Sequence, residues 1–106
     1  MIKELGDNRL EMYQGDTGTI SFKVTGDCEE GDIYVFSLKK TLQDAYPVFT
    51  QTFDRAEFTA VIDEETAKRL PAGDYFWGIK LIREDGGENS INTLIGRGVL
   101  KIERGV

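Results

Sequence analysis

The chain of 106 residues contains no histidine and a single cysteine, Cys28. Without histidine, Ser-His-Asp and Cys-His catalysis are excluded, and so are most zinc and iron sites. One cysteine cannot form an internal disulfide, which favours synthesis in a reducing compartment. The sequence also lacks any run of about 18 apolar residues, so it predicts no membrane-spanning helix.

Clustered positive charge is also missing. Thirteen basic residues stand against nineteen acidic ones, for a net charge of −6, and the only adjacent basic pairs are Lys39-Lys40 and Lys68-Arg69. Nucleic acids and anionic membranes are bound through clustered basic side chains, so we expect neither as a partner. Residues 1–7 lack the apolar stretch of a signal peptide, so no secretion signal is predicted.

What the chain does contain is typical of one globular domain. Apolar residues make up 40% and charged residues 30% of the sequence, as in ordinary folded proteins. A chain of this length buries roughly two-thirds of its unfolded surface, which is enough for one core. We therefore expect a single domain over residues 1–106.

Residues 70–81 combine a corner with a strand and indicate the fold. Pro71 fixes its own backbone angle, and Gly73 permits an angle that other residues resist. From Tyr75 onward, the side chains follow the period of two that is typical of a β-strand. A Leu-x-x-Gly-x-Tyr corner before a buried strand commonly leads into the sixth strand of immunoglobulin-like sandwiches, where the tyrosine hydroxyl binds nearby backbone.

Six other segments have strand character, and a short helical turn is predicted over 64–69 because Asp63 can cap it. The predicted strands cover residues 9–13, 17–25, 32–40, 48–53, 57–62, 75 to the turn at 85–88, and 91–103. We predict an all-β, immunoglobulin-like, two-sheet antiparallel sandwich of about seven strands, with the helical turn joining the fifth strand to the sixth. The third, sixth and seventh strands should share a sheet, and 48–53 should form a hairpin with 57–62. A small β-barrel is the alternative.

Carboxylates are the one plentiful reactive group, and this topology brings three acidic loops to one end of the sandwich. Ca²⁺ takes six to eight oxygen ligands, so this end is a candidate cation site. The candidate ligands are Asp27, Glu29, Glu30, Asp32, Asp85 and Glu88. Their spacing is not that of a known calcium loop, so solvated loop charge is the favoured interpretation. A carboxylate hydrolase is disfavoured further because a small sandwich offers no evident cleft.

A second candidate site is the outer face of the sheet that holds the third, sixth and seventh strands. If the odd-numbered residues from Tyr75 to Leu81 fill the core, several apolar side chains must point outward. They are Ile33, Val35, Phe76, Ile82 and Val99. Antiparallel sandwiches usually present polar residues there, and an apolar patch marks an interface. Coverage by loops or by the N-terminal segment is the alternative.

Three motifs extend over most of the chain. Gly15-Asp16-Thr17 precedes an alternating strand at 20–24, and the strand at 35–40 ends in a lysine pair. The third motif joins the corner at 70–75 to an Asp-Gly turn and to Leu-Ile-x-x-Gly-x-Leu-x-Ile at 94–102. With these motifs the chain resembles the N-terminal sandwich domain of upper baseplate proteins in phages of Gram-positive bacteria, and related prophage tail and neck proteins.

The resemblance implies a structural role in a phage or prophage particle, without catalysis and without a cofactor. The implied partners are further copies of the chain or other virion proteins, and the implied location is the virion, or the host bacterial cytoplasm during assembly. The alternative function is a sandwich module that binds a ligand or Ca²⁺ at its acidic loop end. No catalytic residue is implied.

Overall fold

Eight strands and one helix form in the part of the chain that the computed structural model describes, residues 2–24 and 28–105. In chain order they are β1 (Lys3–Gly6), β2 (Arg9–Tyr13), β3 (Gly18–Lys23), β4 (Ile33–Lys39), β5 (Phe49–Phe53), β6 (Glu57–Ile62), α1 (Glu64–Lys68), β7 (Gly73–Asp85) and β8 (Glu88–Glu103).

The strands form two sheets that enclose the core. One is six-stranded, in the order β1-β2-β8-β7-β4-β5, and the other pairs β3 with β6. The all-β sandwich is thus confirmed, as is the prediction that β4, β7 and β8 share a sheet. The sandwich is not entirely antiparallel, because β2 pairs with β8 in parallel.

Strict alternation of apolar residues builds the core. Tyr75, Trp77, Ile79 and Leu81 are all buried, so the predicted orientation of β7 is confirmed. The other sheet supplies Phe58, Ala60 and Ile62 from β6 and Ile20 from β3. Phe22 of β3 lies 5.3 Å from the ring of Trp77 and 5.7 Å from that of Phe36, between ring centroids. Aromatic contacts therefore join the two sheets at the centre.

The corner before β7 has the predicted geometry. The Tyr75 hydroxyl donates a hydrogen bond of 2.6 Å to the carbonyl oxygen of Pro71, and Gly73 has a φ of +147°, which favours glycine. Upstream, the Asp63 carboxylate caps α1 by accepting from the amide of Thr66 at 2.8 Å. That hydrogen bond lowers the pKa of Asp63. The predicted helical turn between the fifth and sixth predicted strands is confirmed.

The predicted hairpin between 48–53 and 57–62 is wrong. β5 pairs with β4 in the six-stranded sheet, whereas β6 pairs with β3. Pairing begins where the amide of Val48 donates to the carbonyl of Leu38 at 2.8 Å. The short link at 54–56 crosses between the sheets, and the rings of Phe53 and Phe58 stack across them at 4.3 Å. Alternation shows which face of a strand is buried, but it does not show which strand is the neighbour.

β1 was not predicted, because all of its residues are exposed and it has no apolar alternation. It forms because Asp7 and Asn8 adopt left-handed backbone angles, with φ of 51° and 60°, that fold the chain back onto β2. Asp and Asn tolerate such angles better than other non-glycine residues.

Candidate protein interface

A row of three isoleucines crosses the outer face of the six-stranded sheet. Ile33 of β4 lies opposite Ile82 of β7, and Ile82 lies opposite Ile91 of β8. Ile33 is 43% exposed and Ile91 is 63% exposed, while Ile82 is half-buried between them. Side chains directly opposite on neighbouring strands contact each other, so the three form one apolar strip, called here the isoleucine row.

A second apolar pair lies on the same face nearer the corner. Phe76 of β7 is opposite Val99 of β8, and both are half-buried. The guanidinium carbon of Arg97 lies 5.9 Å from the centroid of the Phe76 ring, within the range of a cation–π contact. This pair is therefore more covered than the isoleucine row.

Polar residues separate the two apolar groups. Lys80 of β7 lies between Val35 of β4 and Thr93 of β8. A shallow cavity of about 310 Å³ opens there, lined among others by Ser37, Leu42 and Lys80. The five residues predicted for the interface thus all belong to the outer face, but as two groups, with Val35 beside the dividing lysine.

Ile91 belongs to this surface and was missed. The predicted strand 91–103 began at this residue, and two bulges between Trp77 and Lys80 shift its register with β7. Because the two shifts cancel in parity, alternation counted back from Leu100 still places Ile91 on the outer face, but without the bulges it would lie opposite Glu84 instead of Ile82. The Gly86-Gly87 turn in the sequence could have identified this pairing. With Asp85 opposite Glu88 across the turn, counting three residues along each strand places Ile91 opposite Ile82.

A groove opens on the other side of β8, between its inner face and β3. Two cavities of about 270 and 260 Å³ share Phe22 and Ile95 as lining residues. Trp77 lines the first of them, and its buried indole nitrogen has no hydrogen-bond partner among the described residues. The groove shows that β3 does not pack closely against the inner face of β8 near Ile95.

At the acidic end, the best-ordered carboxylate is engaged by an arginine. Asp32 is 2% exposed, and its two oxygens accept hydrogen bonds from Nε and Nη2 of Arg83 at 2.9 and 2.8 Å. The amide of Glu29 donates to the same carboxylate at 2.9 Å, and the Glu29 carboxylate lies 3.4 Å from Arg83 Nε. These bonds lower the pKa of Asp32 to about 2, and the carboxylate in turn raises the pKa of Arg83.

The other predicted cation ligands are not brought together by the described residues. Glu30 and Glu88 are exposed, Asp27 lies outside the described residues, and of Asp85 only the backbone is described. Within residues 2–24 and 28–105, no three His, Cys, Asp or Glu side chains are placed to hold a metal ion. Arg83 was not predicted, although it directly follows Ile82, the residue opposite Ile33, and so belongs beside Asp32.

Cys28 is exposed at the same end. Its sulfur lies 3.9 Å from the carbonyl oxygens of Glu29 and Asp54, both weak contacts. The loop after β3 therefore meets the link between β5 and β6, as the predicted topology requires.

Comparisons of the chain with protein-family models, with curated proteins and with solved structures found no match. Within the described residues, no helix has the length and apolar character needed to cross a membrane.

Proposed function

We propose that this chain is a non-enzymatic structural module that assembles through protein–protein contacts of its six-stranded sheet. The observation that carries the proposal is the isoleucine row, which places exposed apolar side chains from three adjacent strands on one face. Contiguous exposed apolar surface of this kind marks interaction sites. The chain's resemblance to baseplate-type sandwich domains supports a phage or prophage particle as the setting, in its tail, neck or baseplate.

The mechanism of assembly is burial of this face against another copy or another protein of the particle. Apolar surface removed from water contributes about 25 cal/mol per Å², and a specific interface usually buries about 800 Å² on each partner. The isoleucine row, Val35 and the Phe76–Val99 pair together extend across three strands, so they can form the centre of such a contact. The partly covered Phe76 then lies beside a rim that contains Arg97 and Lys39.

The oligomeric state in solution tests the proposal. We expect the weight-average mass from light scattering to rise with protein concentration, and Phe76→Lys to reduce that rise by placing a charge in the face contact. Phe76 is half-buried beside Val99, so the variant should be somewhat less stable than the wild type but still folded, which urea unfolding checks.

Val61→Lys is the matched control. Val61 is 41% exposed on β6, in the other sheet, so the same type of substitution there should leave the mass unchanged. A wild-type protein that stays monomeric at every concentration and with candidate partners would contradict the proposal. Equal loss of assembly in both variants would also contradict the proposal, since Val61 lies outside the proposed contact.

Cation binding by the acidic loop end is not favoured by any observation on the described residues, because Asp32 is already engaged by Arg83. We therefore propose no second function.

A further inference from the structure

The larger part of β8, residues 88–98, has a free edge. β7 pairs along one side of β8 from Glu88 onward, but β2 occupies the other side only from Val99 to Glu103. Within the described residues, no strand lies beside 88–98 on that second side. This free edge is longer than the whole of β3, with 6 residues, or β5, with 5 residues.

The hairpin determines which backbone groups point out of this edge. Asp85 and Glu88 pair across the two-residue turn Gly86-Gly87, in which both glycines have positive φ. Residues that close such a turn exchange hydrogen bonds with each other, and the pattern alternates along the strand. Ser90 and Asn92 therefore bond to β7, whereas the amides and carbonyls of Asn89, Ile91 and Thr93 point toward the free edge.

The edge lacks the usual protection against pairing. Proteins block open edges with charged side chains, prolines or bulges, but residues 89–96 contain no charged residue and no proline. The register with β7 is regular from Glu88 to Thr93, with no bulge. At β6, by contrast, the side-chain oxygen of Gln51 accepts a hydrogen bond of 2.9 Å from the Val61 amide and so occupies part of the edge.

We propose that two copies of this chain pair edge to edge through β8, antiparallel and centred on Ile91. In this register Ile91 lies opposite Ile91 of the second copy, and Asn89 lies opposite Thr93. The outward-pointing groups of these residues then form about six intermolecular hydrogen bonds, two for each bonded pair. The two six-stranded sheets become one continuous sheet, as in strand-addition complexes.

A second copy suits this edge because the segment is complementary to itself. An antiparallel pair related by a two-fold axis places equal surfaces against each other, and the uncharged segment 89–96 lets two molecules of net charge −6 approach. The pairing also joins the isoleucine row of one copy to that of the other on the same face. The inference rests on the proposed function, and it adds to the face contact an edge contact that places two such faces side by side.

The contact is small. A strand of about six residues buries less than the roughly 800 Å² per partner of a standard interface, so we expect a dimer that dissociates on dilution. Backbone hydrogen bonds then determine which strands pair in the dimer. The affinity of the dimer depends on contacts between the two isoleucine rows as well.

Asn89→Pro tests the backbone pairing. Proline removes an amide that points to the free edge and is not used by β7, so the fold should be kept and dimerisation should weaken by roughly tenfold or more. Asn89→Ala is the matched control, because it removes the side chain and keeps the amide; it should dimerise as the wild type does. Sedimentation velocity over a concentration series measures both, and urea unfolding checks that the proline variant is folded.

A crosslinking experiment tests the register. With Ile91 at the centre, Ser90 lies opposite Asn92 of the second copy in a non-bonded pair, where Cα atoms are about 4.5 Å apart and a disulfide can form. In a Cys28→Ser background, Ser90→Cys and Asn92→Cys proteins should give crosslinked dimers when mixed under oxidation. Each protein alone should give far less.

The outcomes separate this inference from the proposed function. If the wild type assembles, Phe76→Lys reduces assembly and Asn89→Pro does not, the edge pairing is wrong and the proposed face-mediated assembly stands. If Asn89→Pro and Asn89→Ala weaken dimerisation equally, the amide is not involved and the edge pairing is also overturned. A wild type that never associates overturns both.

Discussion

At the scale of single residues, the Asp32–Arg83 pair shows how a carboxylate that resembles a ligand becomes part of the framework. Asp32 immediately precedes β4 and Arg83 lies near the end of β7, so the pair ties the start of one strand and the end of its antiparallel neighbour to the loop after β3. A bidentate guanidinium–carboxylate contact satisfies both groups with matched geometry. At least one carboxylate at this end of the molecule, that of Asp32, therefore stabilises the fold.

Acid unfolding tests this role. The pKa of Asp32 is lowered to about 2 in the folded protein, against about 3.9 in an unfolded chain. Its stabilisation is therefore complete above about pH 4 and is lost as the pH falls toward about 2. We expect Asp32→Asn to lower the free energy of unfolding at neutral pH, and the gap from wild type to narrow across that acidic window.

Urea unfolding at neutral pH and at two acidic values measures the gap, with Glu30→Gln as the control in the same loop. Glu30 is exposed, so its variant should follow the wild type at each pH. A gap that is the same at all pH values would show that Asp32 does not act through its charge.

At the scale of strands, the packing of Trp77 depends on a glycine in β8. Gly98 lies opposite Trp77 in the sheet, and a Cβ atom at Gly98 would overlap the indole ring. A bulge in the β7–β8 ladder accompanies this approach. The indole can therefore lie flat in the core only because position 98 has no side chain.

Gly98→Ala should consequently destabilise the protein by about 1–3 kcal/mol, the usual cost of overpacking a core. Gly96→Ala is the matched control two residues away, since its new Cβ would come no closer than 3.4 Å to Thr93. Urea unfolding followed by Trp77 fluorescence measures both variants. Equal effects of the two substitutions would mean that loss of glycine flexibility, and not the contact with Trp77, is responsible.

The sequence predicted which face of each strand is buried and where the chain turns, but it predicted less well which strands pair with each other. The alternation from Tyr75 to Leu81 correctly separated buried from exposed side chains, and the Tyr75–Pro71 hydrogen bond followed from the corner motif. The partner of β5 was wrong because a strand with the same buried face can join either sheet. The isoleucine row was found only in part, because the pairing of Ile91 with Ile82 depends on two bulges that periodicity does not reveal.

At the scale of the whole molecule, net negative charge opposes the proposed assembly. The net charge is −6, and like-charged molecules repel one another over about a screening length. Association through an uncharged strand edge and an apolar face must therefore overcome this repulsion without help from charge pairing. The uncharged segment 89–96 reduces the electrostatic repulsion between two copies, because no acidic side chain lies in the closest contact.

Salt should then strengthen self-association. Raising the ionic strength to about 0.15 M shortens the screening length to about 8 Å, so we expect the dissociation constant measured by sedimentation to fall. Variants that remove acidic residues beside the paired segment, such as Glu88→Gln at the start of β8, should show a weaker dependence on salt. An association that weakens as salt increases would indicate that charge pairs hold the copies together.

The parallel pair of β2 and β8 has a consequence for how the chain folds. Arg9 lies beside Val99, so strands from opposite ends of the sequence must meet before the six-stranded sheet is complete. During synthesis, β2 can pair with β1 at once, but its pairing with β8 must wait until residues 99–103 have left the ribosome. Contacts between such distant segments slow folding, because a large loop must close before the β1–β2 hairpin can join the β7–β8 hairpin.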